Sequence, residues 1–201
     1  AGLGVFEVAP PLLERYGDKV AIALIGPAGE MRLTAAGIQN LDKDRIPSRI
    51  AARGGLGALM ASKGLKAIVI DGASGGKQPI ADLPAFRLAQ KVYNQALMSH
   101  PQTKVYTEYG TAAMTRMSNG FGGLPTRNFS SGQFEGAERV SGELMRQQQL
   151  ERGGDCQISH ACMAGCTIRS SNIYGGPDGM MIVSPLEYET IGLMGPNLGI
   201  D

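Results

Sequence analysis

Three cysteines fall within eleven residues of a 201-residue chain, at Cys156, Cys162 and Cys166, with His160 between the first two. Three thiols cannot pair without leaving one over. Thiols this close in sequence cannot staple distant segments either. The pattern therefore points to ligands in a reducing, cytoplasmic compartment rather than to a disulfide framework. Gly165 and its small neighbour Ala164 would let backbone approach sulfur, as a loop wrapped around a metal centre requires. An iron–sulfur cubane takes four thiolates, so its fourth ligand would come from outside this sequence. A structural zinc would instead take Cys156, His160, Cys162 and Cys166 as a tetrahedral set. Plain buried thiols fit the spacing as well, and spacing alone leaves the three readings open.

A second candidate segment runs Arg49-Ile50-Ala51-Ala52-Arg53-Gly54-Gly55-Leu56-Gly57. It precedes a strand-like run instead of following one, so it is not a dinucleotide fingerprint, and it lacks the Lys-Ser/Thr ending of a P-loop. Two arginines four apart beside bare backbone could clamp a phosphate, because the guanidinium fork matches phosphate oxygens. A glycine-rich turn with solvated arginines is the plainer alternative.

The elements that must position these residues divide the chain. Val20–Ile25 and Lys66–Gly72 are apolar, branched runs that read as strands, and Leu33–Ile38 is a weaker strand candidate. Residues 11–16 read as a helix end, Gly26–Gly29 as a turn, and Met60–Leu65 as a short helix. The loop-like stretch 73–79 marks a domain boundary, giving domains 1–78 and 79–201. Beyond it, Pro84–Met98 has helical apolar spacing with Asp82 as a cap. Tyr109–Met117, Ser141–Leu150 and Pro185–Met194 are further helix candidates. The first third thus reads as strand-rich and the remainder as helical.

Composition sets limits on function. Nineteen basic against 18 acidic residues give a net charge of +1, no reason to expect nucleic acid as partner. No apolar run approaches the ~18 residues of a membrane span. Ala1–Val5 lacks the basic start and cleavage pattern of a signal peptide. The chain starts without Met and stops soon after a helix-like run, which reads as an internal fragment.

Several stretches together resemble the aldehyde ferredoxin oxidoreductase family of tungsten or molybdenum pterin enzymes. They are Ile25–Glu30, Arg53–Ile68, Tyr109-Gly110-Thr111, Asn128-Phe129, the cysteines, Glu187-Tyr188-Glu189 and Asn197-Leu198-Gly199. The resemblance implies an α+β chain: part of an α/β pterin-binding base domain (1–78), then the first part of a helical domain (79–201). It implies a tungstopterin or molybdopterin, contacted by Arg49, Ile50, Ala52 and Arg53. A bridging Mg²⁺ would be held through the Ile50 carbonyl. Ala52 stands where the family pattern has glycine.

Cys162 and Cys166 match the family's Cys-x₃-Cys, and a [4Fe–4S] cluster would take them with Cys156 and a cysteine from further along the polypeptide. Cys156 lies six residues before Cys162, and Ser159 occupies the position where the family has its first cysteine. Glu189 matches an acidic residue near the metal, placed to move a proton. The implied partners are a small aldehyde-like substrate, ferredoxin or a similar carrier, and the remainder of the same polypeptide; the resemblance also admits a homodimer. The 201 residues alone are expected to be inactive. A non-catalytic cluster scaffold and a zinc-stabilised module remain the alternatives from other classes.

Overall fold

A computed structural model describes residues 1–76 and 78–201, which divide into two compact units, Ala1–Pro79 and Ile80–Asp201. The first unit opens with helix α1 (Val5–Tyr16), then strand β1 (Ala21–Leu24) and a single-turn helix α2 (Pro27–Glu30). Strands β2 (Ile38–Asn40) and β3 (Arg49–Ala51), helix α3 (Leu56–Ser62) and strand β4 (Ala67–Ile70) complete it. The four strands form one antiparallel sheet in the order β3-β2-β1-β4, with Ala23 opposite Asn40 and Ile68, and Gln39 opposite Ile50. Ile22 and Leu24 point into a core closed by Ala9 and Val20, with Val5, Val8, Leu12 and Leu13 of α1 packed over it.

Two local readings change in this unit. Gly26–Gly29 is not a bare turn, because Pro27 starts a helical turn where its missing N–H costs nothing. Leu33–Gly37 is not a strand. It is a bent segment, with Leu33 N–H bonded to Ala28 O and Ala36 N–H to Leu33 O, on which α3 is seated. The strand follows it, at Ile38.

The turn between β2 and β3 is built around one buried carboxylate. Asp42 Oδ1 accepts from the amides of Asp44 (2.8 Å) and Ile46 (2.9 Å), and Oδ2 accepts from the Ser48 hydroxyl (3.1 Å). That network fixes where β3, with Arg49 and Ile50, turns back along β2. Asp42→Ala should therefore cost about 3 kcal/mol, as three hydrogen bonds to a buried carboxylate are lost. Chemical denaturation checks this, with Asp42→Asn expected to fall between Ala and wild type.

The second unit contains α4 (Leu83–Ser99), α5 (Pro101–Tyr109), α6 (Met114–Gly120) and α7 (Gly142–Arg152). Strands β5 (Gln157–His160), β6 (Ser171–Gly175) and β7 (Met181–Val183) follow, then α8 (Tyr188–Met194). Asp82 caps α4 as its sequence suggests, accepting from the Ala85 amide at 2.9 Å. The stretch 109–117 is not one helix: Gly110 at φ +63° ends α5, and a 3-10 turn at Thr111–Ala113 leads into α6.

The larger correction is the antiparallel sheet β5-β6-β7 in a region that reads as helical throughout. Its strands are short and mixed in polarity (QISH, SNIYG, MIV), so no period-2 apolar signal announces them. The architecture is α+β, and among the described residues no helix is long and apolar enough to cross a membrane.

Candidate functional site

The arginine–glycine segment leaves the sheet at its edge. Arg49, Ile50 and Ala51 form the edge strand β3; Ala52 and Arg53 continue beyond it and are exposed. An edge strand keeps backbone groups that no neighbouring strand pairs. Arg53 makes no hydrogen bond or ion pair to the other described residues, whereas Arg49 does engage a partner. Two glycines here are demanded by packing rather than by a ligand. A Cβ on Gly55 would lie 2.4 Å from Thr34 O, and one on Gly57 would lie 2.4 Å from Gly37 O. These contacts press α3 onto the Leu33–Gly37 segment. Gly54 differs: a Cβ there would meet nothing within 4 Å, and its φ of +88° is what calls for glycine. The segment thus pairs a packed glycine hinge with an open, cationic strand edge.

The cysteines are divided by β5. Cys162 and Cys166 are half-buried and in side-chain contact just after the strand. Burial alone would raise the Cys166 thiol. The Arg169 amide, donating to Cys166 Sγ at 3.3 Å, the Cys162 thiol, and the amides of Cys162 and Ile168 outweigh it and hold the thiol below its ordinary value. Gly165 at φ +81° and Arg169 at φ +56° turn the loop so that these amides face sulfur. Thiolate-favouring N–H donors around two adjacent cysteines are a donor set that fits iron–sulfur ligation.

Cys156 is placed elsewhere, half-buried against Gly175, where a Cβ would come within 2.6 Å of its sulfur. Sequence spacing suggested a loop that could gather all three. Residues 157–160 are instead a strand paired to β6, its register shifted between Gln157 and His160 and Ser159 at φ +58°, so Cys156 enters one end of β5 and the pair follows the other. His160 is buried on β5 opposite Ser171. Among the described residues no three His, Cys, Asp or Glu side chains are gathered as a metal-binding group.

Glu187 and Glu189 take opposite roles at the start of α8. Glu187 sits at the N-cap position, and its carboxylate accepts a short hydrogen bond from the Thr111 hydroxyl. Tyr188 turns inward: its ring packs on the cluster of Leu124, Phe134 and Ala137, and its hydroxyl donates to Ser118 Oγ at 3.0 Å. One residue further is ~100° round the helix, so Glu189 must face away from that core. It is exposed, with no hydrogen bond or ion pair among the described residues. A cavity of about 440 Å³ lies on the far flank of α8, lined by Thr190, Ile191, Met194, Met145 and Tyr174 but not by Glu189.

Sequence reasoning gave no role to the residues that hold this helix. Asn172, buried on β6, donates to Leu186 O (2.6 Å) and accepts from Leu186 N (3.2 Å). Thr111 also accepts from the Tyr188 amide at 2.9 Å. A polar residue in one sequence carries no mark of being buried, so only Thr111, inside a quoted stretch, could have been singled out.

Two other quoted stretches meet directly. Arg127, Asn128 and Phe129 form a left-handed turn at φ +45°, +57° and +61°. It is fastened by Arg127 N–H to Pro196 O (3.0 Å), Asn128 N–H to Asn197 O (2.7 Å) and Phe129 N–H to Asn197 Oδ1 (3.1 Å). Non-glycine residues in this region cost about 1–2 kcal/mol each, and the Pro196–Asn197 contacts offset that cost.

The model of the aldehyde ferredoxin oxidoreductase N-terminal domain matches residues 1–72, and that of domains 2 and 3 matches residues 88–201. A tungsten-containing aldehyde ferredoxin oxidoreductase of Thermococcus kodakarensis is 38% identical over 189 residues, covering 92% of this chain and 28% of the relative. That of Pyrococcus furiosus is 37% identical over 203 residues, covering 100% of this chain and 31% of the relative. The chain therefore spans about 30% of the length of these relatives. Among solved structures, the active-site complex BamBC of benzoyl coenzyme A reductase with 1,5-dienoyl-CoA superposes with a TM-score of 0.51 at 23% identity. It covers 87% of this chain and 26% of that one, a likeness of fold. With family models matching both units and relatives aligned end to end, the chain belongs to the aldehyde ferredoxin oxidoreductase family.

Proposed function

We propose that these residues supply part of an oxidoreductase that oxidises an aldehyde-like substrate at a tungsten, or molybdenum, bis-pterin centre and passes electrons through a [4Fe–4S] cluster to ferredoxin or a similar carrier. The observation that carries the reading is the Cys162–Cys166 pair, ringed by amide donors, in a chain of this family. When bound, the pterin metal would supply the two-electron redox chemistry. The protein's task is to bind, orient and handle protons.

Arg49 and Arg53, at the sheet edge, suit pterin phosphates, with Ile50 and Ala52 offering close backbone and the Ile50 carbonyl a ligand for Mg²⁺. Cys162 and Cys166 would hold iron. Cys156 would be the third ligand if its sulfur reaches the pair when the cluster is bound. Oxidising an aldehyde to a carboxylate takes up the oxygen of water and releases two electrons and three protons. An exposed, unengaged carboxylate such as Glu189 can accept one of those protons. The remainder of the polypeptide would complete both centres, and a homodimer is compatible with this division.

The test is anaerobic reduction of a low-potential viologen by the holoenzyme with an aldehyde series. Glu189→Gln should lower kcat on the order of 10²- to 10⁴-fold with metal content unchanged. Aldehyde-independent behaviour of the wild type, or a Glu189→Gln enzyme within about threefold of it, would overturn the reading.

A further inference from the structure

We infer that Thr111 is a positioning residue for the reaction, acting through the first turn of α8 to aim the Glu189 carboxylate. The inference rests on the role proposed for Glu189. The chain entering α8 is gripped at three consecutive residues. Asn172 holds both backbone groups of Leu186. The Thr111 hydroxyl donates to Glu187 and accepts from the Tyr188 amide, using donor and acceptor together. The Tyr188 hydroxyl reaches Ser118, whose side chain is buried. Glu189 is the next residue and has no such contact of its own among the described residues.

A side chain without partners is aimed by its backbone alone. Here the backbone is fixed by groups one to three residues upstream. Thr111 is itself held, because it follows Gly110, whose left-handed φ of +63° ends α5. A Cβ on Gly110 would come within 2.9 Å of Ser170 O, so the residue leading into β6 and the start of the 3-10 turn are in close backbone contact. Ala112, next to Thr111, is fully buried. Thr111 therefore sits at a fixed point in the unit and offers α8 two bonds from one oxygen. Misplacing a catalytic group by about 1 Å can cost on the order of 100-fold in rate without touching binding.

The variants are Thr111→Val, which keeps shape and loses both bonds, and Thr111→Ser, which keeps both. Each is compared with Glu189→Gln in the holoenzyme. Thr111→Val should lower kcat about 10- to 100-fold at unchanged KM, with metal and pterin content retained, and Thr111→Ser should restore kcat to within about threefold of wild type. Independently of activity, hydrogen exchange at the Tyr188 amide should quicken about tenfold in Thr111→Val and not in Thr111→Ser. Wild-type kcat in Thr111→Val beside a crippled Glu189→Gln overturns the inference alone. Equal impairment of Val and Ser variants also overturns it, since the hydroxyl would then not be the cause. Full activity of Glu189→Gln removes the reading of Glu189 and the inference with it.

Discussion

Holoenzyme carrying Cys162→Ser or Cys166→Ser should leave anaerobic purification without its cluster: iron falls from about four atoms per polypeptide to a small residue, acid-labile sulfide falls with it, and the broad visible absorption is lost. The expectation follows from what surrounds the two sulfurs. Cys166 Sγ receives the Arg169 amide and touches the Cys162 thiol, and these donors outweigh burial and hold the Cys166 thiol below its ordinary value. A serine hydroxyl keeps the size but titrates far above neutrality, so those amides would face a neutral oxygen that ligates iron poorly. Cys156→Ser is expected to behave differently and retain most of the iron. Its sulfur lies against Gly175 at the other end of β5, with the strand ladder between. Loss of iron in Cys156→Ser equal to that in the other two would show that Cys156 is a ligand of the cluster as well.

Gly57→Ala should destabilise the first unit by about 3 kcal/mol or more. In an open helix the same change would gain nearly 1 kcal/mol from propensity. The clash decides the sign. The added Cβ would stand 2.4 Å from Gly37 O and 2.9 Å from both Ala36 C and Ala36 O, all backbone atoms that cannot swing aside. The amide of Gly57 also donates to Ala36 O at 2.9 Å, so helix and segment cannot separate without losing that bond. The disturbance would travel further, because Gly37 in turn lies under Ala51 O and the Ile50 side chain of β3. An apparent melting temperature lower by roughly 12–24 °C is expected for a unit of this size. Gly54→Ala is the control: its Cβ would meet nothing, and only its φ of +88° is strained, a cost of about 1–2 kcal/mol. A Gly57→Ala protein as stable as wild type would show that α3 is not seated as described.

What could be read ahead of the structure followed a physical rule. Val20–Ile25 and Lys66–Gly72 were legible as strands because both are branched, apolar and bounded by breakers, and both pair in one sheet as β1 and β4. Pro84–Met98 was legible because its period and its Asp82 cap are local properties. The strand β3 was not, since three residues beginning with arginine have no period, and their place is set by the Asp42 turn and by Gly37 beneath them. The β5-β6-β7 sheet was hidden for the same reason, and with it the separation of Cys156 from Cys162. Spacing along the chain measures how far a loop can reach, not whether the intervening residues will pair with a strand. Chemistry-bearing residue types were visible in Cys162, Cys166, Arg53 and Glu189. The groups that hold the chain entering α8, Asn172, Thr111 and Ser118, are ordinary polar residues whose placement depends on distant packing.

The most direct test of the account is metal and pterin analysis of the anaerobically purified holoenzyme, with its visible spectrum. Iron and acid-labile sulfide near the stoichiometry of one [4Fe–4S] cluster, together with tungsten or molybdenum and an extractable pterin, are the predicted result. A colourless protein holding zinc alone, or one holding iron and sulfide without any pterin, would contradict it.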